Sequence, residues 1–178
     1  MFFLRDRKKV LLLAALTFTL VVLTSIPTLA QQQVQYAAKF LCGVPGIEAE
    51  REAVKPGNYA TAINVHNPLL TAGVEFRKKA VRALPQGFEP IPPSQFRPEG
   101  IGPNFALEID CQNIRDLLGG PPAPEFIKGF LVILSPIELD VVAVYTGQPP
   151  GQTGGMTMDV ETIQPRRLVV PASTKNKR

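Results

Sequence analysis

The chain has 178 residues, with 19 Lys+Arg against 15 Asp+Glu, 18 Pro, 14 Gly, two Cys and no Trp. Four of the basic residues (Arg5, Arg7, Lys8, Lys9) and one acid (Asp6) fall in the first thirty positions, so positions 31–178 hold 15 Lys+Arg and 14 Asp+Glu. A near-balance of charge gives no reason to expect nucleic acid as a partner, and the length suits one domain with one core.

Residues 1–30 read as a signal peptide. A basic n-region is followed by an apolar run at 10–23, and Pro27 precedes the small-x-small pattern Thr28-Leu29-Ala30. Cleavage is expected after Ala30. The competing reading is an uncleaved anchor, for which the stretch from Val10 to Ile26 is barely long enough. No Cys follows the apolar run where lipid attachment would need one, so the predicted location is secreted, periplasmic or otherwise in the cell envelope. In an oxidising compartment the pair Cys42 and Cys111 is expected to form a disulfide, worth about 4 kcal/mol by loop entropy, with two buried free thiols as the alternative.

Along the chain, residues 34–42 (VQYAAKFLC) predict a first strand and 47–55 (IEAEREAVK) a helical turn or exposed connector. Lys55-Pro56-Gly57-Asn58 is a turn. Tyr59, Thr61, Ile63 and Val65 then alternate with Ala60, Ala62, Asn64 and His66 as a half-buried strand, which Asn67-Pro68 stops. Arg77, Lys78, Lys79 and Arg82 put charge on both faces of the next strand, as suits a sheet edge; a basic docking stripe is the functional alternative. Residues 85–104 are too rich in proline for a central strand or a helix. Phe88, Ile91 and Phe96 predict a loop draped over the core, with recognition of Pro90-Ile91-Pro92-Pro93 by a partner as the alternative.

Residues 105–111 (FALEIDC) alternate as a strand, and 112–118 with Gly119-Gly120 behind them predict one or two helical turns capped by Asp110. The densest apolar stretch, 126–146 (FIKGFLVILSPIELDVVAVYT), reads as two strands split by Ser135-Pro136, and so as a central hairpin. Residues 147–155 form a glycine-rich loop, 156–163 a last strand with Leu168-Val169-Val170 as an extension, and 171–178 a basic disordered tail. About seven short strands between Pro/Gly turns predict an all-β, immunoglobulin-like antiparallel β-sandwich occupying residues 31–170. Without Trp, and with Ile109 two residues before Cys111 where antibody domains carry a tyrosine, the likeness is one of architecture and not of family.

The inventory for chemistry is thin. His66 is the sole histidine, Ser94, Ser135 and Ser173 lack a nucleophile setting, and Asn64 and Asn67 give His66 no acidic neighbour in sequence. No catalytic residues are predicted, and the chain is read as no enzyme. Glu108/Asp110, Glu138/Asp140 and Asp159/Glu161 recur two apart, which on strands puts two carboxylates on one face. They are the only calcium candidates. The alternative, that these pairs mark the solvent face while Ile109, Leu139 and Val160 point inward, is favoured, so no cofactor is expected.

The strings YATAINVHNP at 59–68 and FIKGFLVI with LDVVAVYT in 126–146 resemble an uncharacterised family of small exported bacterial β-sandwich proteins. The layout is also similar, in architecture, to the sensory rhodopsin transducer family. Neither resemblance implies site residues. The expected function is a non-catalytic module that binds a protein or surface partner or assembles with copies of itself. A small-ligand or calcium-binding module is the alternative, and membrane contact is expected only through an uncleaved leader.

Overall fold

The computed structural model describes residues 32–45, 54–151 and 155–169; the leader, most of the connector 47–55, the tip of the loop 147–155 and the basic tail lie outside the described residues. Among the described residues there are nine strands: β1 (Gln32–Cys42), β2 (Asn58–His66), β3 (Val74–Arg82), β4 (Arg97–Ile101), β5 (Ala106–Ile109), β6 (Ile127–Ser135), β7 (Asp140–Gln148), β8 (Thr157–Thr162) and β9 (Arg166–Val169). A short helix, α1 (Cys111–Leu117), lies between β5 and β6. The strands make a five-stranded sheet in the order β4-β3-β6-β1-β9 and a four-stranded sheet in the order β5-β2-β7-β8. Every ladder between them is antiparallel, and the fold is the expected all-β sandwich.

Period-two patterning builds the core between the sheets. Val34, Tyr36, Ala38 and Phe40 of β1 and Leu131 and Ile133 of β6 point inward from one side; Ile63, Val65, Val141 and Ala143 meet them from the other. Burying each of the larger side chains contributes about 2 kcal/mol. Two hydroxyls tie the layers together. Tyr36 of β1 donates to the Leu139 carbonyl (2.9 Å) and accepts from the Leu139 N–H (2.7 Å). Thr61 of β2 does the same for Leu41, at 3.0 Å in each direction. Each hydroxyl therefore satisfies both backbone groups of one residue across the sandwich, where an unpaired group would be costly.

Four expectations are corrected. The stretch 126–146 is not a hairpin: β6 lies mid-sheet in one layer and β7 in the other, and Ser135 to Asp140 carries the chain between layers. The Ser-Pro break fits either connection; the Tyr36–Leu139 hydrogen bonds hold the crossing in place. Next, β3 is not an edge. β4 covers it, and β4 comes from the end of the proline-rich segment, where Pro98 sits on an edge strand as its missing N–H allows. With β9, this strand raises the count from seven to nine. Third, Phe88 is 47% exposed and Ile91 40%, so the proline-rich segment is not draped through them, whereas Phe96 is half-buried beneath cations of β3. Fourth, Val160 does not point inward but is 56% exposed, because the ladder sets it beside Val144 on the outer face of its sheet, with Asp159 and Glu161 on the other parity.

Cys42 and Cys111 are bonded, with Cα atoms 5.7 Å apart. The bridge joins the end of β1 to the first residue of α1 and not to a facing strand. As expected, Asp110 caps that helix. Its carboxylate accepts from the Asn113 N–H (2.8 Å), and the Asn113 side chain accepts from the Asp110 N–H (3.1 Å). Gly119, at φ 89°, ends it.

Candidate functional site

At the ends of β2 and β7 the ladder sets His66 opposite Asp140. Nδ1 of His66 lies 2.8 Å from the Asp140 carboxylate and Nε2 lies 3.2 Å from Oδ1 of Asn104. The acidic partner absent from the local sequence is thus supplied by another strand. Both ring nitrogens face oxygen acceptors, an arrangement that favours the doubly protonated ring, and the pKa is raised, first by Asp140 and then by Asn104. The ring is 37% exposed. Ser94 is engaged with the Ala80 N–H and Ser135 with that of Ile137, and Ser173 lies outside the described residues. The two contacts of His66 tie the facing ends of β2 and β7 to the loop that carries Asn104.

A pKa raised on folding gives stability that is fully present below the unfolded value of 6.5 and is lost as pH rises through the folded value. Between about pH 6 and pH 8 the melting temperature should therefore fall in the wild type more than in Asp140→Asn. Equal slopes in the two proteins would remove His66 from the account.

The acidic pairs are dispersed. Glu108 lies in β5, while Asp110 caps α1. Glu138 pairs with Arg167 (2.6 Å) and Asp140 with His66. Asp159 accepts from the Val160 N–H (2.9 Å), and Glu161 accepts from the Tyr145 hydroxyl (2.8 Å). Burial of Tyr145, together with the neighbouring carboxylates, raises the pKa of that phenol, so it stays protonated and donates. Among the described residues no three His, Cys, Asp or Glu side chains gather as a metal site.

The His66 end of the sandwich carries a different feature. Asn67, fully buried, donates from Nδ2 to the carbonyls of Ala72 (2.8 Å) and Gly102 (3.0 Å) and accepts from the Leu69 N–H (3.1 Å). Its own N–H donates to the Phe105 carbonyl, and the Asn104 N–H donates to the Leu69 carbonyl (2.8 Å). Asn104 takes φ 56°. That is a left-handed conformation, which asparagine tolerates better than most residues. Two loops, 67–73 and 102–105, are thereby knotted into one rigid tip. Leu70, 77% exposed, and Phe105, 67% exposed, project from it, with Leu69 also exposed. Phe105 lies close over Gly102, where an added Cβ would meet its ring at 3.0 Å.

Sequence reading treats Asn67-Pro68 as a stop and passes over the Leu69-Leu70 that follows. The available signal is an apolar pair at a position where turn chemistry calls for polar residues.

No protein-family model matches the chain, and no curated protein does. Among solved structures it is similar to the crystal structure of Thermotoga maritima 1070, at 12% identity and a TM-score of 0.43, over 76% of this chain and 93% of that one. A likeness so distant identifies neither a relative nor an activity.

Proposed function

We propose that this protein is an exported, non-catalytic binding module of the cell envelope or the extracellular space, which docks a protein partner or a second copy of itself through the loop tip. One observation carries the reading: buried Asn67 commits three side-chain hydrogen bonds to holding rigid a loop whose Leu70 is left in solvent. Ordering a flexible loop at the moment of binding costs affinity, so a locked loop with apolar anchors is suited to recognition. The disulfide and the leader-like first thirty residues support an oxidising location. Among the described residues no helix is long and apolar enough to cross a membrane.

The test is site-specific photo-crosslinking in the native host. A crosslinker at position 70 or 105 should give a discrete adduct, whose mass separates a second copy from another protein, while one at exposed Asp116 on α1 should not. Asn67→Ala, which frees the loop and strands the Ala72 and Gly102 carbonyls, should weaken the adduct several-fold at unchanged expression. Equal labelling at all three positions, or none at the tip, refutes the reading.

A further inference from the structure

The alternation of β3 sorts its four cations into two sets. Lys78 and Arg82 share the parity of the buried Val74, Phe76 and Ala80. Each is neutralised there, Lys78 by Glu99 (2.7 Å) and Arg82 by Glu125 (3.2 Å). Arg77 and Lys79 stand on the outer face of the five-stranded sheet, 5.5 Å and 4.6 Å from the ring centre of Phe96. Since β3 is not an edge, protection against edge pairing no longer explains these two charges.

The ladders supply the rest of that face. Arg77, Leu134, Gln35 and Arg166 lie abreast on β3, β6, β1 and β9; Lys79, Val132 and Ala37 form the next row, and Val81, Phe130 and Lys39 the one after. The central strand thus offers an apolar spine of Leu134, Val132 and Phe130, the last 43% exposed, with cations on both flanks. Glu75 is the one carboxylate of β3 on this face. The outer face of the other sheet is unlike it. Ala60, Ala62, Val142, Val144, Met158 and Val160 are accompanied there by Glu108, by Asp140 with His66, and by no lysine or arginine of its strands. A chain nearly balanced in sum is polarised between its two faces.

We propose that the outer face of the five-stranded sheet docks the protein on the surface of an anionic phospholipid bilayer. Charge complementarity selects an anionic partner. The shape selects a bilayer: four strands at about 4.8 Å spacing make a broad face and no groove, whereas a helix or an extended peptide is held in a groove or along an edge. Phe130 sits where an aromatic ring meets the headgroup layer, and the lysine and arginine stems reach past the spine to the phosphates. The proposal stands apart from the loop tip, which lies at the end of the sandwich and not on this face.

Vesicle co-flotation of the full chain tests it. Any insertion by the leader is common to wild type and variants, so their ratio reads the face. On vesicles of phosphatidylcholine with about 30% phosphatidylglycerol, each cation is expected to contribute about fivefold, and Lys39→Glu/Lys79→Glu should bind at least about 25-fold more weakly than wild type. Glu75→Lys, which leaves the buried side untouched, should bind several-fold more tightly. Both differences should vanish at about 0.5 M salt. Binding of all three proteins within twofold of one another overturns the proposal, as does a wild type that ignores anionic vesicles. So does charge-dependent retention on poly-glutamate with unchanged flotation, which would assign the face to an acidic protein.

Discussion

Reduction of the Cys42–Cys111 bridge is expected to lower the unfolding free energy by about 4 kcal/mol. The bonded residues are 69 apart in sequence, so the open chain regains the freedom of a loop that encloses β2 to β5. Loop closure is not the whole effect. The bridge sulfur of Cys111 accepts from the Thr61 N–H (3.2 Å), beside the point where Thr61 ties the two sheets together, so a reduced thiol would loosen a corner shared by β1, β2 and α1. Denaturant titration with and without reductant, and of Cys42→Ala/Cys111→Ala, checks the figure. A loss below about 1 kcal/mol would mean that the sandwich holds that corner without the bond.

The second large effect is expected at Gly129. It lies in β6 opposite Phe40 on one side and Arg82 on the other, and is buried on the inner face. A Cβ there would run into the Val81 carbonyl oxygen and approach the Phe40 ring to 2.9 Å. The carbonyl belongs to the backbone of a paired strand and cannot rotate aside, while Phe40 is itself fully buried, so even alanine forces two strands apart. Gly129→Ala should cost about 3 kcal/mol, roughly a 10 °C fall in melting temperature for a domain of this size. An unchanged melting temperature would show that β3 and β6 can separate freely, against the packing described. This residue is visible in the sequence as an interruption, with Lys128, of an otherwise apolar run; its reason is not.

That contrast runs through the molecule. Features governed by neighbours in sequence are legible: the alternation of β2, the capping of α1 by Asp110, the glycine stop after it, and the pairing of two cysteines in a chain with a leader-like start. Features governed by which layer a strand joins are not. Two β-rich runs split by Ser-Pro satisfy the local grammar of a hairpin, whereas their crossing between sheets depends on partners elsewhere in the chain, among them a tyrosine 103 residues from Leu139. The charges of β3 are uniform along the sequence because their separation depends on Glu99, Glu125 and Phe96, each contributed by another segment. His66 has no acidic partner in its own segment because Asp140 arrives through strand register. The tip is hidden for a related reason: exposure of Leu70 is a statement about what fails to cover it, and no local pattern records that.

The strand order also bears on when the chain can fold. β1 sits between β6 and β9, and before residue 127 emerges the available ladders are β3 with β4 and β2 with β5. Such pairs bury little by themselves. A nascent chain extruded from the N-terminus therefore stays open through its first two-thirds, and the five-stranded sheet closes only when synthesis is almost complete. A translocation channel that threads unfolded polypeptide would meet little resistance from it.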